Sequence, residues 1–262
     1  MKMNYNHYLP DTPQRIEYLK SVIRGRPCVI LLSGPSVTKF RQFSLKLKDK
    51  DICYASVNDY WIIEKTILYK LDKKLDIVMR SAKECKVPSQ PDFDFLDRPT
   101  NNIFISERAG YHELQMPLSD FLIKYGYKVF FFVAERSEMM RYVPNPQYPL
   151  HFFAQASFAI LMSILAIGGA PLIIIFGADG GYIRGRELYL NGWGDSSLER
   201  LKYDTWLFNN TWPLLRKNLI QTHKVNPHIL NASSRSHYTA MKKVTIHDAF
   251  NILTQESRQE VG

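Results

Sequence analysis

The stretch "FFAQASFAILMSILAIGGAPLIIIFGAD", residues 152–179, carries no charge until Asp179. An apolar run of that length is either a membrane span or two buried elements in succession. Gly168-Gly169-Ala170-Pro171 cuts it in two. The first part has the length of a helix and the second, Leu172 to Phe176, the length of a strand. A helix apolar all round that feeds a strand apolar on both faces needs a sheet covered on both sides, the parallel α/β arrangement. The expectation is therefore a buried helix and a central strand, not a transmembrane segment, with peripheral membrane contact left open.

The rest of the chain follows the same alternation. Strands are expected at Val29–Leu32, Ile52–Val57, Leu75–Met79, Ile103–Ser106, Lys128–Val133, Leu172–Gly177 and His228–Ala232. Helices are expected at about 12–24, 37–48, 60–72, 113–125, 152–167, 196–222 and 246–254. The fold class is α/β: a doubly wound, mostly parallel sheet with helices on both faces, in a single domain spanning 1–262. "KVPSQPDFDFLDRPTNN" and "RYVPNPQYP" read as irregular. "GGYIRGRELYLNGWGDSS" reads as a lid-like loop at about 180–197.

In "PCVILLSGPSVTKF" a short apolar strand ends in Gly34-Pro35-Ser36 before an amphipathic segment whose Val37, Phe40, Phe43 and Leu47 share a face. Ser36 is a good N-cap for it. Unpaired amides at such a turn favour an anion such as a phosphate, and a plain strand-to-helix turn is the other reading. The net charge of +9 points the same way, to an anionic partner. Much of that charge lies on ordinary helix faces, and no nucleic-acid-binding module accompanies it. Cys28, Cys53 and Cys85 lack CxxC spacing, which fits reduced thiols in a cytoplasmic protein without a zinc site. The first fifteen residues have no apolar signal-peptide core.

In an open parallel sheet the ligand crevice lies outside the carboxyl ends of the strands. Polar residues cluster at those ends: Ser33 to Ser36, Asn58-Asp59, Arg80-Ser81, Ser106 to Arg108, Glu135-Arg136, Asp179 to Gly181 and Ser233 to His237. Asp179 is a candidate to hold a ribose, base or substrate hydroxyl, or else forms a local turn. Tyr182 and Tyr189 are candidate donors to a phosphate or leaving group, or surface aromatics. His237, just past the last strand, is a candidate proton shuttle, or a structural histidine. Asp92-x-Asp94 has a spacing that could hold a metal-bound diphosphate, though paired carboxylates in a Pro-bounded loop are more often simply solvated. GxxxxGK[ST], HExxH and GxGxxG are absent, which disfavours a standard dinucleotide site.

"LLSGPSV", "CYASVND" and "AQASFAILMSILAIGGA" running into "IIIFGADGGY" together resemble a broad Rossmann-like family. It includes bacterial lipooligosaccharide sialyltransferases and the motility accessory factors that glycosylate flagellin; archaeal 6-hydroxymethylpterin diphosphokinases share a related domain. The resemblance covers about residues 27–250. It implies that the Ser33, Gly34, Pro35 and Ser36 turn lies by the nucleotide phosphate, that Asn58 and Ser157 contact the nucleotide, and that Tyr182 and Tyr189 stabilise the departing phosphate. Where the family has Gly-Asn-Gly-Pro-Ser, this chain has Leu32-Ser33-Gly34-Pro35-Ser36. The family histidine has no counterpart in 183–222, which leaves His237 as the nearest substitute.

The resulting expectation is a nucleotide-sugar-dependent glycosyltransferase, sialyltransferase-like, acting in surface-glycan or protein glycosylation. Its donor would be CMP- or UDP-linked, its acceptor a glycan or protein, and no cofactor or metal would be required. The alternatives are a diphosphokinase-like enzyme using ATP and magnesium, with Asp92, Asp94 and Asp179, and a nucleotide- or glycan-binding module without catalysis.

Overall fold

The computed structural model describes residues 13–58, 63–80, 103–107, 128–135, 137–143, 150–154, 156–180, 198–233 and 236–256. Its strands are β1 (Cys28–Leu31), β2 (Cys53–Val57), β3 (Ile77–Arg80), β4 (Ile103–Glu107), β5 (Lys128–Glu135), β6 (Arg141–Tyr142), β7 (His151–Phe153), β8 (Leu172–Phe176), β9 (His228–Asn231) and β10 (Lys242–Lys243). Its α-helices are α1 (Pro13–Ile23), α2 (Phe40–Phe43), α3 (Ser157–Ile167), α4 (Leu198–His223) and α5 (Ile246–Glu256).

The strands hydrogen-bond in the order β10-β9-β8-β1-β2-β3-β4-β5-β7-β6. Every neighbouring pair is parallel except β6 with β7. β5 joins the two parts of the sheet, pairing through Lys128–Phe132 with β4 and through Val133–Glu135 with β7. The doubly wound, mostly parallel α/β sheet read from the sequence is what the chain forms.

The two-residue period of a strand divides the core into two layers. Cys28, Ile30, Cys53, Ala55, Ile77, Met79, Ile173 and Ile175 face α1, α3 and α4. Val29, Leu31, Tyr54, Val78, Leu172, Ile174 and Phe176 face the segments after β1 and β2, and α5. α3 packs beneath β2 and β3 with α1 and α4 against it, and every residue from Phe158 to Ile167 is buried. That explains the uncharged sequence block. No helix among the described residues is long and apolar enough to cross a membrane.

The segment after β1 buries Val37, Phe40 and Leu47 as the pattern predicted. It is not one α-helix, however, but a 3₁₀ turn (Pro35–Lys39), α2 and a second 3₁₀ turn (Ser44–Leu47). The expected helix 60–72 holds a π-helical turn (Glu64–Leu68) and a 3₁₀ turn (Tyr69–Leu71) that stops at Asp72, φ 52°. Glu64 is 1 % exposed. Its Oε1 accepts the Leu75 amide at 2.9 Å, its Oε2 is buried without a partner, and burial pushes its pKa up to about 7. β6, β7 and β10 were not anticipated, since two or three residues are too few to show a period. Residues 152 and 153, read as the start of a helix, belong to β7 instead. The expected helix 113–125 and Cys85 lie outside the described residues.

At the edge where β1 and β2 begin, Arg26 ties four segments together. Its guanidinium donates to Val22 O (2.6 Å), Ile23 O (3.1 Å) and Ile52 O (3.3 Å), and pairs with Asp51 (3.0 Å) and Asp76 (3.2 Å). Asp76 in turn accepts the Tyr54 amide at 2.9 Å. Burial pushes the Asp76 carboxyl up, and Arg26 opposes that shift.

Candidate functional site

From β1 the chain steps to β2, β3, β4 and β5 in one direction; α3 then returns it to β8, on the other side of β1. The strand order therefore reverses between β1 and β8, the place where an open α/β sheet leaves its crevice. β1 leads there into Ser33-Gly34-Pro35-Ser36, and β8 into Gly177-Ala178-Asp179.

The two loops touch. Gly34 has ordinary extended backbone, φ −64° and ψ 147°. A Cβ on it would collide with the Gly177 carbonyl oxygen and come within 2.7 Å of Asp179 Oδ2. Gly177 has φ +83°, and a Cβ there would meet the Leu32 carbonyl oxygen. Gly34 is thus needed so that the ends of β1 and β8 can approach each other. Its missing side chain opens no path to a phosphate.

A polar clasp closes over this contact. The Ser36 amide donates to Asp179 Oδ2 at 2.9 Å, and Ser36 Oγ lies 2.7 Å from Ser233 Oγ. The Ser233 amide donates to Asn231 Oδ1 at 2.9 Å, and Asn231 Nδ2 to Ala178 O at 3.2 Å. Asn231 is fully buried, so these bonds offset its desolvation. Two expectations change here. Ser36 is not the N-cap: that position is Gly34, which makes no side-chain cap, and Ser36 instead bridges to Ser233. The amide expected to face an anion already serves the chain's own carboxylate. Pro35 takes the first helical position, where its missing N–H costs nothing, and Ser33 is half-buried between strand and turn.

His237 sits against the same clasp through its backbone. Its amide donates to Asp179 O at 2.9 Å, and the residue is exposed. Asn209 of α4 holds this loop from the other side. Its Nδ2 donates to His237 O at 2.9 Å, and its Oδ1 accepts the amides of Thr239 (2.7 Å) and Ala240 (3.2 Å). Tyr238 packs on Phe158 and Phe208, with ring centroids 4.9 and 5.0 Å away, and a Cβ on Gly180 would run into its ring. Thr205 Oγ1 donates to Gly180 O at 3.3 Å. These contacts bring the start of α3, where Ser157 is the first helical residue, to the loop that carries His237.

Asn58 directly follows β2, next to β1 in the sheet, with φ 55°, a conformation asparagine tolerates better than most residues. Its amide donates to Met79 O at 2.8 Å. Asp179, Ser36, Ser233 and His237 are joined by direct hydrogen bonds, while Ser157 and Asn58 reach the same sheet edge through their elements. Tyr182, Tyr189, Asp92 and Asp94, and all but Gly180 of the lid-like loop expected at about 180–197, lie outside the described residues.

No family model matches the chain, and no curated protein matches it. Function must be argued from the edge itself. Among the described residues no group of three His, Cys, Asp or Glu could hold a metal ion. The edge offers one carboxylate committed to an amide, serine hydroxyls, the asparagine that follows β2 and an exposed imidazole. That set suits hydrogen-bonding a polar ligand and exchanging a proton with it. Sequence reasoning placed Ser233 at this edge but missed Asn209, Asn231 and Thr205 as residues that build it. Asn231 carried a signal, an amide inside the apolar run His228–Ala232; Asn209 and Thr205, within a helix, carried none.

Proposed function

We propose that the chain binds a nucleotide-sugar donor at the β1–β8 edge and transfers its sugar to a glycan or protein acceptor. The observation that carries this reading is the convergence of Asp179, the Gly34–Ser36 turn and the His237 loop at the reversal of strand order. In this reading Asn58 and Ser157 border the nucleotide. His237, the exposed titratable group of the clasp, accepts the acceptor's proton as bond formation proceeds at the anomeric carbon. Tyr182 and Tyr189 donate to the departing phosphate, a role that needs no metal. Because Asp179 occupies the Ser36 amide, the Gly34–Ser36 turn frames the donor, and its phosphate is held elsewhere. Buried, unpaired Cys28 and Cys53 accord with a reducing, cytoplasmic setting.

That same pairing favours a second reading, a nucleotide- or glycan-binding module without catalysis, since Asp179 serves the fold. A thermal-shift series with CMP, UDP, GDP and ATP, each with and without magnesium, tests both. Saturation by CMP or UDP at a hundred times Kd adds about 2.7 kcal/mol of stability and supports a donor site. Release of sugar from CMP- or UDP-sugar then separates transferase from binding module. Stabilisation by ATP with magnesium alone would overturn both readings in favour of a diphosphokinase.

A further inference from the structure

A second polar feature adjoins the Gly34–Ser36 turn on the sheet face covered by the segments that follow β1 and β2. Between those segments runs a cleft of about 340 Å³ lined by Thr38, Arg41, Gln42, Thr66, Ile67 and Lys70. Its apolar member, Ile67, is 1 % exposed, while Arg41 and Lys70 are both exposed. The two cations come from different elements, and no carboxylate among the described residues pairs with either one. Two like charges turned to one cleft repel each other, so this placement does not stabilise the fold. An anion between them would be attracted by both, and the Arg41 guanidinium can meet a phosphate with two parallel N–H donors.

The remaining lining residues suit the rest of such a ligand. Thr38 Oγ1 donates to Pro35 O at 2.8 Å, which leaves its lone pairs to accept a hydroxyl. Gln42 offers both an amide donor and an acceptor at the same wall. The cleft volume falls at the lower end of the range for small-molecule sites, room for a phosphate and one ring-sized group. We propose that this cleft binds a small phosphorylated ligand, its phosphate between Arg41 and Lys70 and its hydroxyls against Thr38, Gln42 and Thr66. The site is independent of the donor reading, because it uses none of the residues of the β1–β8 edge.

Isothermal titration of the full chain with inorganic phosphate, diphosphate and glucose 6-phosphate, at ionic strength held constant with sodium chloride, tests the assignment. Saturable binding is expected, strongest for glucose 6-phosphate. Arg41→Gln and Lys70→Gln should each weaken it by about tenfold or more, and the double variant should abolish it. Both side chains are exposed, so the variants should keep the parent melting temperature; Asp179→Asn should leave this binding unchanged. No saturable binding by any of the three probes would overturn the proposal. So would equal affinity in the folded double variant. Capture by phosphatidylcholine vesicles containing phosphatidic acid, without binding of the soluble probes, would also overturn it, and would place the phosphate on a lipid surface.

Discussion

Replacing Glu64 by Gln should remove a pH dependence from the stability of the fold. The Glu64 carboxyl is 1 % exposed, its Oε2 has no partner, and burial pushes its pKa from the ordinary 4.5 to about 7. A carboxyl whose pKa is higher folded than unfolded keeps a proton in the native state that the unfolded chain has lost. Between pH 4.5 and about 7 the native state therefore binds more protons, and stability falls as pH rises. Below 4.5 the contribution is fully present; above about 7 the loss is complete. A difference of about 2.5 units at 1.36 kcal/mol each gives a loss of about 3 kcal/mol at pH 8. Glutamine keeps the volume and an oxygen for the Leu75 amide but does not ionise. Urea unfolding followed by circular dichroism at pH 4.5, 6, 7 and 8 should show the two proteins close together at pH 4.5. By pH 8 the Gln variant should be more stable by about 3 kcal/mol. Parallel stability curves across that range would refute the reasoning.

Gly34→Ala should destabilise the fold by about 1–3 kcal/mol in urea unfolding, because its Cβ has to displace the Gly177 carbonyl and the Asp179 carboxylate. Asn209→Ala should raise amide exchange selectively at His237–Ala240, where it removes three hydrogen bonds, with a global cost of about 1–3 kcal/mol. Asp76→Asn should cost about 1–3 kcal/mol at neutral pH by weakening the hold of Arg26, and 0.5 M sodium chloride should narrow the gap only slightly because Arg26 is largely buried.

The sheet was legible because its strands are short apolar runs with glycine or proline beside them. Val29–Leu32 and Leu172–Phe176 have only one comfortable environment, a parallel sheet covered on both faces. α3 was legible for the same reason, since ten successive buried residues leave no polar face. The clasp was not, because Ser36 and Asp179 stand 143 residues apart and nothing near either one announces the other. The sequence offered Ser36 as a local cap and Asp179 as a ligand group. In the folded chain each satisfies the other. Asn209 was hidden for a similar reason: its three bonds cross to a loop 28–31 residues away. The π-helical turn at Glu64–Leu68 has no counterpart in the helical periodicity of the sequence.

The central claim is that a nucleotide donor binds where β1 and β8 part. Amide hydrogen exchange of the intact chain, with and without saturating CMP and UDP, measures it most directly. The account predicts that one of these nucleotides slows exchange at Gly34 and Ser36, Asn58, Ser157, Asp179 and His237, leaving Arg41 and Lys70 unchanged. Saturating nucleotide that protects none of these amides, or protects only segments remote from this edge, would contradict it.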